Sequence, residues 1–295
     1  GSVTVTQIGG PVSGSLFPVG TTTIVFRAVD PTGNSTICQF TITVMDMQAP
    51  NAVCQNITVQ LDANGQATIS ASQLDGESGD VCGVAFVTAS DTSFDCSNIG
   101  ANRVTLTVTD NNGNSSTCTA VVTVEDHVAP AAVCQNATVQ LDANGVASVT
   151  AAQIDNGSSD ACGIASLSVS PSTFNCANVG PNTVTLTVTD NNGNTSTCTA
   201  TVTVQGLVAP AAVCQNVTVQ LGANGEATIT AAQIDNGSSA ACGIASLSVS
   251  PSTFTCNNVG PNQVTLTVTD NNGNTATCTA TVTVEDTSAP NAYCN

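Results

Sequence analysis

The sequence predicts an all-β protein built from tandem β-sandwich repeats, and three observations support this. A segment beginning VCQN at residue 53 returns in closely similar form at residues 133 and 213, and a fixed period of this kind is typical of repeat proteins. Cysteines keep the same spacing, with Cys54, Cys134 and Cys214 each 80 residues apart. Apolar residues and threonines alternate along 183–189, which indicates a β-strand with one buried face.

The period divides the chain into complete and partial repeats. Three complete repeats are predicted at residues 47–126, 127–206 and 207–286. Residues 1–46 match only the second half of a repeat, and residues 287–295 open a further one. We therefore expect the chain to be a section of a longer array.

Each repeat is expected to form a disulfide-stapled, immunoglobulin-like sandwich of six or seven short strands. In residues 127–206, Asn144-Gly145 supplies the positive φ angles of a tight hairpin turn. Pro171 separates two short strands, and the NNGN segment at 191–194 joins the two clearest ones. Such a density of turn signals without a helical period is typical of a sandwich. The repeated Ala-Pro linkers restrict the backbone between repeats and favour an extended rod.

Composition excludes several classes of function. Twenty acidic residues stand against two arginines, no lysine and one histidine, giving a formal charge of −18. This surface repels phosphate backbones and anionic lipid, so nucleic-acid and membrane-surface binding are not expected. No apolar run approaches the roughly 20 residues of a membrane helix. The 14 cysteines at fixed spacing indicate disulfides and an extracellular or cell-surface location.

One set of disulfides is predicted within a loop of each complete repeat. Aligning residues 1–46 with a complete repeat places Ser2 opposite Cys82 and Leu16 opposite Cys96. The joint loss of both cysteines favours a bond between them. The predicted bonds of this set are Cys82–Cys96, Cys162–Cys176 and Cys242–Cys256.

The other cysteines have two possible pairings. A bond within the repeat, such as Cys54–Cys118, would join the start of the first strand to the last strand. A bond across a junction, such as Cys38–Cys54, would require the chain to fold back along its own last strand, some 25 Å. The first pairing is favoured, and it gives Cys38 and Cys294 partners outside this sequence. The predicted bonds of this set are Cys54–Cys118, Cys134–Cys198 and Cys214–Cys278.

Residues 16–44, LFPVGTTTIVFRAVDPTGNSTICQFTITV, closely resemble the closing half of a hyalin (HYR) repeat. The later repeats are similar to an HYR-like subtype of giant Bacteroidota cell-surface proteins, although they lack the Phe-Pro before Val-Gly. The resemblance implies an immunoglobulin-like fold, an extracellular location and export by a type IX route. HYR modules are spacers and adhesion units, so the resemblance implies no catalytic site.

The sequence also gives no basis for an enzyme. The sole histidine, His127, lies in a linker and has no counterpart in the other repeats, so a nucleophile, base and orienting group cannot be assembled. We expect a structural rod region of an adhesin or filament, whose partners are its own tandem or filament neighbours or a surface ligand.

Calcium is the one cofactor that the pattern suggests. Acidic residues recur at the junctions, at the first hairpin and in the loop before Cys82 or Cys162. In the last repeat all three positions change together, to Gly206, Gly222 and Ala240, as a shared oxygen-ligand site would show. The alternative is that these residues are turn-forming and solubilising acids. The candidate ligands are Asp46, Asp62, Asp80, Glu125, Asp126, Asp142, Asp160, Glu285 and Asp286.

The DNNGN segments also resemble part of a calcium loop. They lack the distal glutamate and helical flanks of an EF-hand, and hairpin turns are therefore predicted at 110–114, 190–194 and 270–274.

Overall fold

A computed structural model of the chain describes residues 1–288 and divides it into two compact units, Gly1–Val128 and Ala129–Asn295. Each unit is considered by itself. Cys294 and most of the predicted segment 287–295 lie outside the described residues. Within residues 1–288, no helix has the length and apolar character needed to span a bilayer.

The first strands form one antiparallel sheet in the order β1-β2-β3. They are β1 (Thr4–Gly9), β2 (Gly20–Val29) and β3 (Ser35–Val44). Ile24 on β2 is buried, whereas Phe40 on β3 is 49% exposed and stacks on Phe26 with ring centroids 6.2 Å apart. Residues 1–46 thus supply one sheet without a second sheet of their own.

The three following repeats share one architecture. Residues 47–126 contain β4 (Ile57–Gln60), β5 (Gln66–Thr68), α1 (Ala71–Leu74), β6 (Val84–Ala89), β7 (Ser93–Asp95), β8 (Gly100–Asp110) and β9 (Ser115–Glu125). Residues 127–206 contain β10 (Ala137–Gln140), β11 (Val146–Ser148), α2 (Ala151–Ile154), β12 (Ile164–Ser170), β13 (Thr173–Asn175), β14 (Gly180–Asp190) and β15 (Thr195–Gln205). Residues 207–286 contain β16 (Val217–Gln220), β17 (Glu226–Thr228), α3 (Ala231–Ile234), β18 (Ile244–Ser250), β19 (Thr253–Thr255), β20 (Gly260–Asp270) and β21 (Thr275–Glu285).

Each complete repeat packs a four-stranded sheet against a two-stranded one. In residues 127–206 the sheets are β10-β15-β14-β12 and β11-β13. The first strand β10 lies parallel to the last strand β15, with Ala137 opposite Val202, as expected for an immunoglobulin-like sandwich. The predicted all-β fold of tandem sandwich repeats is therefore confirmed.

The predicted alternation of apolar residues and threonines determines which side chains of β14 are buried in the core. Val184, Leu186 and Val188 on β14 are fully buried, and the threonines between them are partly exposed. The buried side chains contact Ile154 and Phe174 from the opposite side of the sandwich. Full burial of one such aliphatic side chain contributes about 1.5–3 kcal/mol.

One predicted hairpin is wrong. The Asn144-Gly145 turn forms, since the backbone N–H of Asp142 donates to Val146 O at 2.9 Å. The strands on either side then separate: β10 pairs with β15 in one sheet and β11 pairs with β13 in the other. The turn therefore carries the chain between the two sheets of the sandwich.

Candidate functional sites at the repeat junctions

One disulfide closes each complete repeat, as predicted. The bonds are Cys54–Cys118, Cys134–Cys198 and Cys214–Cys278, with Cα–Cα distances of 5.8, 5.8 and 5.9 Å. Each joins the start of the repeat to its last strand and closes off 64 residues of sequence. The parallel pairing of first and last strands brings these two cysteines together.

Two ends of each repeat can be distinguished. The leading end contains the junction with the preceding repeat, the DNNGN turn and the Cys242-type loop; in the last repeat, Asn271 Nδ2 donates to Cys242 O at 2.6 Å and Asn274 Nδ2 donates to Gly206 O at 2.7 Å. The trailing end contains the Cys256-type cysteine and the first turn, where Cys256 Sγ lies 3.7 Å from Gly225 O.

A second kind of disulfide connects two repeats. Cys176, at the trailing end of repeat 127–206, is bonded to Cys242, at the leading end of repeat 207–286, with a Cα–Cα distance of 5.4 Å. The predicted pairs Cys162–Cys176 and Cys242–Cys256 are therefore wrong. The predicted pair Cys82–Cys96 is wrong as well, because Cys82 is a free thiol.

The geometry of the sandwich explains this correction. Strand β12 begins beside the DNNGN turn, where Ile164 pairs with Asp190, and its seven residues carry the chain about 20 Å away. Cys162 precedes this strand, whereas Cys176 follows the short strand β13, which continues towards the first turn and places Asn175 opposite Val146. The two cysteines consequently lie at opposite ends of one repeat and cannot meet.

A glycine makes room for the junction bond. A Cβ atom on Gly145 would lie 2.7 Å from Cys176 Sγ and 3.2 Å from Ala241 O. Gly145 also has a φ of +74°, which side-chain-bearing residues rarely adopt. The first turn of one repeat thus accommodates both the thiol and the loop of the next repeat.

The remaining cysteines differ in state. Cys96 and Cys162 are disulfide-bonded. Cys38, Cys82 and Cys256 are free and exposed. Cys38 was predicted to have a partner outside this sequence, and Cys294 lies outside the described residues.

Some of the predicted calcium ligands do meet, at the leading end of repeat 47–126. Oxygen atoms of Asp46 and Asp80 and the sulfur of Cys82 all lie within 4.8 Å of one another. Within residues 1–288, no N–H or O–H donor reaches the buried Asp46 Oδ2. A hydrogen bond to Asp46, together with burial and the neighbouring carboxylates, raises the pKa of the Cys82 thiol.

The hairpin acids do not join this group. Asp62 Oδ1 accepts hydrogen bonds from the backbone N–H groups of Asn64 and Gln66 at 2.8 and 3.0 Å. These bonds lower the pKa of Asp62, and Asp142 makes the equivalent pair. Both acids lie on the first turn at the trailing end, so one repeat does not assemble all three predicted acidic positions into one site.

Most of the other candidate acids accept hydrogen bonds from nearby groups. Glu125 Oε2 accepts from Gln60 Nε2 at 2.7 Å and lies 3.5 Å from His127 Nε2. The carboxylates of Asp126, Asp160 and Asp286 each accept a backbone N–H two residues further on. Glu285 is the exposed last residue of β21.

The DNNGN segments form hairpin turns, as predicted. Asp190 is 1% exposed, and its Oδ1 accepts from the backbone of Asn192 and Asn194 while its Oδ2 accepts from Asn194 Nδ2. Burial raises the pKa of Asp190, but these hydrogen bonds outweigh it and hold the pKa below its ordinary value of 3.8. The carboxylate organises the turn that links β14 to β15.

We expect Asp190→Asn to destabilise repeat 127–206 by about 1–3 kcal/mol at neutral pH. The side-chain NH2 group of the introduced asparagine would replace the oxygen that accepts from Asn194 Nδ2, so two donors would face each other. A depressed folded pKa stabilises the fold above the unfolded pKa, and this contribution is lost as pH falls through the folded value. The difference from wild type should therefore shrink below pH 3.8. Denaturant unfolding at pH 7, 4 and 2.5 measures it, with exposed Asp286→Asn as the control. A difference that is constant across these pH values would contradict the prediction.

Fold and cross-links together define a protein of tandem immunoglobulin-like domains joined by disulfides. Residues 131–206 and 201–287 each match the bacterial Ig-like domain family, covering more than half of the chain. The chain belongs to this family. Residues 2–44 match the HYR domain, which confirms the predicted resemblance there.

Similarity to individual proteins is more limited. Hyalin of Strongylocentrotus purpuratus is 34% identical over 133 residues, which are 43% of this chain and 11% of hyalin. The chain therefore spans about a tenth of the length of this curated relative. Among solved structures, the protocadherin gammaB7 EC3-6 cis-dimer is 15% identical with a TM-score of 0.30, covering 95% of this chain and 93% of that one. Sidekick-1 immunoglobulin domains 1-5 are 9% identical with a TM-score of 0.38, covering 97% and 74%.

Proposed function

We propose that the chain is a non-catalytic structural region of a secreted cell-surface adhesin or extracellular filament. Its repeats form an extended rod that carries tension. The observation that supports this most directly is the pair of cross-links in one unit: Cys134–Cys198 closes a repeat, and Cys176–Cys242 ties that repeat to the next. Such bonds persist in oxidising surroundings outside the cell.

The strand arrangement suits tension. The Cys134–Cys198 bond joins the start of the repeat to its last strand. A force applied at the two chain ends therefore passes through this bond and bypasses β10, which lies between the two cysteines. When the bond is reduced, the force acts on the parallel strands β10 and β15 in opposite directions and loads the hydrogen bonds between them in shear.

The residues also support a non-enzymatic role. The neighbour of His127 in the described part of unit 1 is Glu125, at 3.5 Å, and the two side chains are 69% and 41% exposed. Both residues lie at a repeat junction. The proposal includes an origin in Bacteroidota and export by the type IX route, and these two parts are based on the HYR resemblance alone.

Negative-stain electron microscopy of the purified chain tests the proposal. A stalk region should appear as separate thin rods, with about 40 Å for each repeat. Ordered polymers would support the filament alternative, in which neighbouring chains complete the partial repeats. Compact particles with no elongated form would contradict both.

A calcium-stiffened junction is a second candidate function, favoured by the proximity of Asp46 and Asp80. Calcium at about 100 times its dissociation constant should stabilise the fold by about 2.7 kcal/mol. Asp126 and Asp160 are the predicted ligands at the equivalent positions of the next repeat. We therefore expect this stabilisation to disappear when Asp46, Asp80, Asp126 and Asp160 are all changed to Asn, as measured by thermal unfolding with calcium or EDTA.

The last junction provides a matched test, because Gly206 and Ala240 replace the two acids there. Introducing Gly206→Asp with Ala240→Asp into this asparagine variant should restore a calcium effect. An unfolding midpoint that EDTA leaves unchanged in the wild-type chain would remove the calcium candidate.

A further inference from the structure

The last described repeat carries an exposed thiol in the position of a bonded one. Cys256 begins the 3-10 helix Cys256–Asn258, as Cys176 begins Cys176–Asn178. Cys256 Sγ lies 3.7 Å from Gly225 O, and Cys176 Sγ lies 3.8 Å from Gly145 O. The difference is that Cys176 is half-buried in a disulfide whereas Cys256 is free and exposed.

The space beside Cys256 is shaped like the bonded junction. A Cβ on Gly225 would lie 3.0 Å from Cys256 Sγ, and among residues 1–288 no other atom outside the two flanking residues lies within 4 Å of it. At Gly145, the same position also contacts Ala241 O of the next repeat. The trailing end of repeat 207–286 therefore has both features of the bonded junction. Gly225 leaves space for the loop of a following repeat, and the Cys256 thiol is placed to bond to the cysteine of that loop.

We propose that Cys256 is a cross-linking site for the x-Cys-Gly loop of a repeat joined directly after residue 286. We base this on the proposed function, in which junction disulfides recur along the array. The two thiols would each lose a proton and together two electrons to a small disulfide such as oxidised glutathione, which is reduced to two thiols. One S–S bond forms in the protein and one is broken in the oxidant.

We favour a following repeat of the same chain as the source of this loop, because the leading end of a repeat holds its x-Cys-Gly loop in a fixed position. Gly243 has a φ of +87° and Asn271 Nδ2 donates to Cys242 O, which together hold the loop. Asn274 Nδ2 donates to Gly206 O, which attaches the same end to the linker. A following repeat with the same linker would present its loop to Cys256 in the way that repeat 207–286 presents Cys242 to Cys176.

The test compares the full chain with an extended chain, made of residues 1–286 followed by a second copy of residues 207–286. Both are folded with oxidised and reduced glutathione, labelled with a maleimide and mapped by mass spectrometry. Cys256 should be labelled in the full chain and unlabelled in the extended one. Peptide mapping should then find it bonded to the appended copy of Cys242. Cys38 and Cys82, free in the structure, are the labelling references.

The matched control is the extended chain with Cys242→Ser in the appended copy alone, which should make Cys256 reactive again. The Cys214–Cys278 bond in every sample reports that repeat 207–286 has folded. Continued labelling of Cys256 in the extended chain would overturn the proposal. Dimers of the full chain joined from Cys256 to Cys82 would also overturn it, because the loop would then come from a second chain. Rods in electron microscopy with unbonded Cys256 would leave the proposed function standing, so the two failures are distinguishable.

Discussion

Removing the Cys214–Cys278 bond is expected to lengthen the fully stretched chain by about 150 Å, at up to about 3.6 Å per residue. In the wild-type chain, the shortest covalent path from Cys198 to Asp286 spans 24 residue-to-residue steps, because the bond bypasses the residues between its cysteines. In Cys214→Ala with Cys278→Ala the shortest path runs from Cys198 back to Cys176, across the Cys176–Cys242 bond and on to Asp286, which is 66 steps. Single-molecule force spectroscopy with handles at both chain ends measures this length.

The same measurement identifies the junction bond. Adding Cys176→Ala and Cys242→Ala leaves a path of 88 residue-to-residue steps, so the gain over wild type should rise to about 230 Å. Removing Cys176–Cys242 alone should add no such length, because the two cysteines lie within loops closed by other disulfides. Cys38→Ala is the control, since this thiol is free. A gain of about 230 Å in the first variant would show that the repeats are not cross-linked.

The fold could be predicted from the sequence because its signals are local. Alternation along 183–189 specifies which side chains of β14 are buried, since successive residues of a strand point to opposite faces. The Cys134–Cys198 bond was predicted because the alternative bond across a junction would require the chain to fold back along its own last strand. The turn at Asn144-Gly145 was also recognised, but its residues do not reveal whether the chain continues into the same sheet or crosses to the other.

The junction bond was missed because the loss of two cysteines has two explanations. Ser2 and Leu16 replace the cysteines of the partial repeat, and this fits a bond within a repeat as well as bonds to neighbouring repeats. The distinction depends on which end of the sandwich each cysteine occupies, and that requires the path of β12 and β13. A sequence signal was nevertheless present. Leu16 occupies the position equivalent to Cys176 and Cys82 the position equivalent to Cys242, and Cys82 is accordingly free in the structure.

Loss of Cys214–Cys278 is also expected to lower the free energy of unfolding of the last repeat by about 4 kcal/mol, because a loop of this size strongly restricts the unfolded chain. The bond closes off 64 residues, and the repeat has a small core with Phe254 as its buried aromatic side chain among residues 207–288. Hydrogen exchange of the β20 and β21 amides in Cys214→Ala with Cys278→Ala reports this repeat separately from the others.

Two further variants provide reference values for the hydrogen exchange of the last repeat. Leu266→Ala removes a fully buried side chain from the same core and should cost about 2–5 kcal/mol, while Cys256→Ala changes an exposed free thiol and should have little effect. If the disulfide variant exchanges like Cys256→Ala, packing alone holds the repeat, and the bond serves only to limit extension. If it exchanges like Leu266→Ala, the disulfide supplies stability that the small core lacks, and reduction would unfold the repeat without applied force.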